Sequence, residues 1–302
     1  MKNQRIKDIQ ARLKKGFDQT QYMSRTFGVE LEFVYNGTKS QQQLAQHLRE
    51  YTEESVEIRN WSNHSSNPRN NFDTWVLTTD GSLNHRNGWE LVSPILDEST
   101  DGLVRLNNML TALDLYGDCK VTRNCGTHIH FGVQQTDFYT LGRFLQLYAM
   151  YEPAIDLIMP MSRRANNTRS WARSFGNDSV ASKQTVIKTL KKATNKLFYR
   201  HNFGHAINPS NRYMKVNLTS IRKHNTIEIR HHSGTLNFDK ISMFMELVDF
   251  LFRWAEIPMV KIPVPKHNDP AKLWLTLVDK LQVAGETELL SKLEARKEQL
   301  NG

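Results

Sequence analysis

Three short stretches alternate apolar and polar residues with a period of two. That period belongs to a β-strand, whose successive side chains point to opposite faces. In 28–34, Val29, Leu31 and Phe33 lie opposite Glu30 and Glu32; in 125–132, Thr127, Ile129 and Phe131 lie opposite His128 and His130. In 226–230, Ile227 and Ile229 lie opposite Glu228 and Arg230, and a further strand over 89–93 sets Glu90 opposite Trp89 and Leu91. If these strands share one antiparallel sheet with its apolar face on helices, the other face gathers carboxylates, imidazoles and a guanidinium.

Between the strands the apolar spacing becomes helical. Leu44, Ala45 and Leu48 share one face of 41–52, and Leu103, Leu106, Leu110 and Leu113 share one face of 101–116. Asp137 opens a long amphipathic helix that runs to Ile158, and Pro153 is expected to kink or divide it. A strongly apolar helix over 238–255 suits the role of covering the sheet, and 272–299 supplies one or two more. Residues 74–79 pair with 89–93, and 212–219 pair with 225–231, as further strands. A Lys-rich helix precedes the latter pair. The order predicts an α+β fold: a mainly antiparallel sheet with helices packed on one face. It divides into a basic helical arm (1–25), a central unit (26–256), and a proline-rich connection with helices packed on that unit (257–302).

Composition adds the setting. The chain has 302 residues, 39% of them hydrophobic, which is enough for a sizeable core. It has no run of about 18 apolar residues and its N-terminus lacks an apolar signal region, so a cytoplasmic protein is expected. The two cysteines, Cys119 and Cys125, are expected to be reduced. The net charge is +9, yet residues 161–235 alone carry 15 Lys plus Arg against Asp178 and Glu228. Such a patch suits phosphate, in a nucleotide or a nucleic-acid backbone. The lysines at 183, 188, 191, 192 and 196 read as the solvated face of one helix.

The paired strands carry the chemistry. Carboxylates crowded on one face repel each other, and taking them out of water without partners costs several kcal/mol or forces protonation; a divalent cation is the usual partner. Glu30, Glu32, Glu90 and Glu228 favour Mg²⁺ or Mn²⁺, with His128 better tolerated by Mn²⁺. Cys119, Cys125, His128 and His130 raise a zinc alternative, but their spacing does not match the usual finger patterns. Arg230 shares a face with Glu228 and can stabilise a transferring phosphoryl group. Arg163, Arg164, Arg173 and Arg212 are further phosphate-binding candidates, with Trp171 or Tyr213 as an adenine platform. The chain has no Walker loop and no Gly-x-Gly-x-x-Gly.

One ordered set of segments carries a resemblance: Gly28-Val-Glu-Leu-Glu, Asp80-Gly-Ser-Leu with Glu90-Leu-Val-Ser-Pro, Cys125-Gly-Thr-His-Ile-His-Phe-Gly, Ser162-Arg-Arg, Arg212-Tyr, and Thr226-Ile-Glu-Ile-Arg-His-His-Ser-Gly-Thr. Over about residues 26–255 the chain resembles the amidoligase family, which belongs with glutamine synthetase and glutamate–cysteine ligase among the carboxylate–amine ligases. The resemblance implies a curved sheet like the glutamine synthetase catalytic domain, with ATP at one end of its channel. Glu30, His128 and Glu228 would hold a metal near the γ-phosphate, and Glu32 with Glu90 a second near the acyl substrate. Glutamine synthetase has a further glutamate for that second ion, for which Asp80 is the candidate counterpart. Arg230 falls at the phosphoryl-transfer arginine, and His130 by the carboxylate substrate. ATP, two divalent ions, a small-molecule or peptide carboxylate and an amine are the implied ligands, with an acyl phosphate between them. A guanidino-kinase-like phosphotransferase on the same fold is the nearest rival. Nucleic-acid binding through the basic middle is another, though it leaves the paired carboxylates and imidazoles unexplained.

Overall fold

The structure is a computed structural model, and it describes residues 2–59, 73–83, 87–97, 101–164, 172–174, 212–258, 262 and 266–302. Trp171, the Lys-rich helix, the polar loop 60–72 and most of the segment after Arg164 lie outside these residues. The elements run α1 (Lys2–Phe17), β1 (Phe27–Tyr35), α2 (Gln41–Thr52), β2 (Val56–Ile58), β3 (Trp75–Thr79), β4 (Gly88–Val92), α3 (Gly102–Tyr116), β5 (Cys119–Lys120), β6 (Thr127–Gly132), α4 (Phe138–Ile155), β7 (Val216–Asn217), α5 (Ser220–His224), β8 (Thr226–Ile229), α6 (Phe238–Glu256), α7 (Pro270–Ala284) and α8 (Thr287–Asn301).

The strands form one sheet in the order β2-β3-β4-β1-β6-β8-β7, with β5 also paired to β1. β2 pairs parallel with β3; the other described pairings are antiparallel. Val29, Leu31, Phe33, Ile129, Phe131, Ile227 and Ile229 are all buried in one core with the helices. Each such side chain contributes about 1.5–3 kcal/mol by leaving water. That burial also sets the register, because a slip of one residue would drive Glu30, Glu32 and Glu228 into the core. Phe252 of α6 ties the layers together, packing against Phe131 of β6 and stacking on Phe144 of α4 with ring centroids 3.7 Å apart.

Two expectations change. α4 is not divided at Pro153: it continues to Ile155 and then tightens into a 3₁₀ turn over Asp156–Ile158. The proline stands close to the helix end, so its missing N–H interrupts only the last turn. The pair expected over 212–219 and 225–231 is shorter, because 220–224 form a helical turn that closes at Asn225 in the left-handed region, φ 54°. α1 is a packed arm: Leu13 and Phe17 are buried, and Phe17 stacks on Phe250 of α6 at 5.1 Å. No described helix is long and apolar enough to cross a membrane.

His232, just past β8, makes the fold sensitive to acid. Its ring is buried, with Nδ1 2.6 Å from the Ser233 carbonyl, and burial pushes its pKa from 6.5 down to about 3. Because the folded value lies below the unfolded one, its contribution to stability is present above pH 6.5 and is lost as pH falls toward 3. His232→Asn keeps a donor for Ser233 and cannot titrate. Melting temperatures measured from pH 7 to pH 4 should therefore fall less steeply for the variant than for the wild type. Equal slopes would remove His232 from the acid response.

Candidate functional site

Strand register brings the alternating polar pairs into one row. Glu32 stands opposite Glu90, Glu30 opposite His128, and His130 opposite Glu228, so β4, β1, β6 and β8 each supply donors to the same face. Partners across a ladder share a face, and a sheet therefore delivers such donors without any loop having to fold over them. His128 Nδ1 lies 3.0 Å from Glu30 Oε2 and 3.8 Å from Glu228 Oε1, and its Nε2 lies 3.5 Å from Glu32 Oε1. His130 Nε2 lies 3.1 Å from Glu30 Oε1. Arg230 donates through Nη1 to Glu228 Oε1 at 2.5 Å.

Two groups have donor atoms within 4.8 Å of one another: Glu30, Glu90 and His128, and Glu30, His130 and Glu228. Glu30 is common to both. Neither group contains a cysteine, and Cys125 Sγ instead accepts from the Thr122 N–H at 3.3 Å. The carboxylates pull in opposite electrostatic directions. Burial pushes Glu90 well above the usual carboxylate range, reinforced by the charges of Glu30, Glu32 and Asp80. For Glu30, burial is outweighed by hydrogen bonds from His128 and His130, which hold it well below that range. Glu228 is lowered as well, against its burial, chiefly by Arg230. A site in which burial and three neighbouring carboxylates together force one carboxyl toward the neutral form is short of positive charge. Oxygen-rich donors with that deficit fit a hard divalent cation.

Several supporting contacts were not read from the sequence. The Gly126 N–H donates to Glu32 Oε2 at 2.6 Å. A Cβ at Gly126 would stand 2.6 Å from His128 Nε2, so the close approach requires glycine there. Asn217 donates to Glu228 Oε2 at 2.6 Å, and the Thr226 hydroxyl lies 2.9 Å from His130 Nδ1. Asn217 lies in the alternation Lys215, Val216, Asn217, Leu218, the same period-two signal as the other pairs. Thr78, opposite Glu90, is fully buried, and its hydroxyl has no hydrogen-bond partner among the described residues.

The candidate arginines separate. Arg163 is buried beside Glu32, with Nη2 2.6 Å from the Cys125 carbonyl, and it braces the start of β6. Arg164 turns back to the Met159 carbonyl at 2.9 Å. Arg212 and Arg173 are exposed. Arg212 lies over the Tyr213 ring at 5.1 Å, and Arg230 approaches the same ring at 5.9 Å. Tyr213 therefore links the buried row to the exposed cations.

Residues 23–251 match the sequence family described as "Putative amidoligase enzyme". The chain belongs to this amidoligase family. The matched span covers β1 through most of α6, and so includes every donor in the row. No curated protein matches the chain. Among solved structures it is similar to a bifunctional glutathione synthetase from Pasteurella multocida, at 12% identity and a TM-score of 0.44, over 97% of this chain and 48% of that one. This amidoligase thus spans about half the length of that protein.

Proposed function

We propose that this amidoligase is an ATP-dependent carboxylate–amine ligase that works through an acyl phosphate on a sheet of the glutamine synthetase catalytic type. The observation that carries the reading is the convergence of four glutamates and two histidines from four strands, on one face and against Arg230.

A carboxylate does not condense with an amine in water, because its oxygen leaves poorly. Transfer of the γ-phosphoryl of ATP to one carboxylate oxygen gives an acyl phosphate; the amine attacks the carbonyl carbon, and that oxygen departs in inorganic phosphate. Bound Mg²⁺ or Mn²⁺ would neutralise phosphate charge; the family resemblance divides the donors into Glu30, His128 and Glu228 for one ion and Glu32 with Glu90 for a second, whereas the donor atoms that lie closest group Glu30 with Glu90 and His128, and with His130 and Glu228. The remaining work falls to side chains. Arg230 presents a planar, permanently charged fork to the phosphoryl group, held in line by Glu228. His130, fixed by Thr226 and Glu30, orients the carboxylate substrate. Tyr213 offers a ring face for the nucleotide base, and the exposed Arg212 and Arg173 reach its outer phosphates.

ADP release is the direct assay. With Mg²⁺ or Mn²⁺ present, a panel of amino acids and short peptides should give ADP and phosphate only where a carboxylate and an amine are both supplied. Nucleotide turnover that ignores both additions would contradict the reading.

A further inference from the structure

Arg230 is flanked by a second set of ionisable groups that the proposed reaction does not use. Asp156 Oδ1 accepts from Lys215 Nζ at 2.5 Å and lies 2.6 Å from His231 Nε2. Lys215 Nζ is also 3.2 Å from Glu152 Oε1, and the Tyr148 hydroxyl is 2.8 Å from His231 Nδ1. Lys215, His231 and Tyr148 are fully buried, and Glu152 and Asp156 are 2% and 6% exposed. Replacing such a network by apolar residues is often neutral or stabilising, so stability alone does not account for it. Its position offers another account.

The Lys215 carbonyl accepts the Arg230 N–H at 2.8 Å, and His231 follows Arg230 in the chain. A single carboxylate oxygen of Asp156 thus grips both the ladder partner of Arg230 and its sequence neighbour. The same ladder continues outward, since the Lys215 N–H donates to the Arg173 carbonyl at 2.8 Å. Asp156 also opens the turn that leads to Arg163 and Arg164. Lys215 and His231 hold the Asp156 carboxyl down at about 2 against its burial, and burial holds His231 below its ordinary value. The arrangement is then a neutral imidazole donating through Nε2 to a carboxylate and accepting a hydrogen bond from the Tyr148 hydroxyl at Nδ1.

We propose that Asp156 is a positioning residue: by anchoring Lys215 and His231 through one oxygen, it fixes the backbone of Arg230 and so the aim of its guanidinium at Glu228. Its consequence for turnover rests on the ligase reading; its consequence for Arg230 does not.

The test therefore has two arms. In the first, the side-chain Nε–H signal of Arg230 is followed by nitrogen NMR in the full chain and assigned by its loss in Arg230→Lys. Arg105, which donates through Nε to Glu54 at 2.6 Å, is the internal control. Asp156→Asn should shift the Arg230 signal and speed its hydrogen exchange about tenfold or more while Arg105 is unchanged. Tyr148→Phe, which removes only the hydrogen bond to His231, should do the same to a smaller degree and decides the matter if Asp156→Asn does not fold. An unmoved Arg230 signal in the folded variants would overturn the proposal. In the second arm, Asp156→Asn should lower kcat about 10–100-fold, as loss of an orienting partner does elsewhere, with KM for ATP nearly unchanged. In an Arg230→Lys background the same change should add less than about twofold, because residues acting as one unit are not additive. Equal losses in both backgrounds would assign Asp156 a structural role and overturn the proposal. A wild type without ATP turnover would fail the ligase reading and leave the first arm to decide this one.

Discussion

Glu30→Gln, His128→Ala and Glu228→Gln are each expected to reduce divalent-ion-dependent ATP turnover by about a thousandfold and to leave the fold standing. The size follows from the several kcal/mol of charge stabilisation a bound metal supplies, at 1.36 kcal/mol per factor of ten. The fold should survive because these side chains lie on the sheet face away from the core, where Val29, Ile129 and Ile227 do the packing. For the carboxylates there is a sharper expectation. Without metal, His128 and His130 outweigh burial and hold the Glu30 carboxylate well below its usual range. Glu30→Gln loses that stabilisation and should lower the melting temperature of the metal-free protein, offset in part by relief of the repulsion that adds to burial in pushing Glu90 up. What it should remove is the rise in melting temperature on adding Mn²⁺, since a ligand stabilises only the state that binds it. Full activity in two of the three variants would refute the ligand assignment. Unfolding of all three would make the row structural.

The second large effect concerns Arg230. Charge spreads over the phosphoryl oxygens as transfer proceeds, and a bidentate fork meets it in a way that a lysine's point charge does not. Arg230→Lys keeps the positive charge beside Glu228 but loses that geometry. kcat is expected to fall about 10²–10³-fold with ATP affinity changed only a few-fold, the pattern of an interaction made mainly in the transition state. Binding and turnover falling together would place Arg230 in ground-state nucleotide binding instead.

The row of candidate donors was legible because a sheet writes its faces into the sequence. Glu30, Glu32, His128, His130, Glu228 and Arg230 announce themselves by alternating with residues that must be buried, and the apolar alternation also fixes the register that joins them. β1 and α2 matched the expected spans for similar local reasons; α2 is closed at its start by a capping box between Ser40 and Gln43. What could not be read were contacts set by tertiary packing. Glu152 lies near the end of α4 and Asp156 on the turn that follows it, and nothing local says that Lys215 and His231 lie against them. Arg163 and Arg164 are adjacent in sequence and identical in chemistry, yet one is buried beside Glu32 and the other turns back on Met159. The local pattern reports a side chain's face but not its depth. Pro153 misled for a related reason: its effect depends on how much helix follows it, and only Ala154 and Ile155 do.

The central claim is that a carboxylate is activated by phosphorylation, and the fate of one oxygen tests it most directly. The carboxylate substrate found by the ADP-release screen is prepared with ¹⁸O in its carboxyl group and turned over with ATP, the divalent ion and the amine, and the phosphate is examined by mass spectrometry. An acyl-phosphate route must carry one labelled oxygen from each reacted carboxyl into inorganic phosphate, while a guanidino-kinase-like enzyme would keep its phosphoryl group on the product and release none. One ¹⁸O per phosphate, in step with amide formation, is the expected result; unlabelled phosphate beside the amide product would contradict the mechanism.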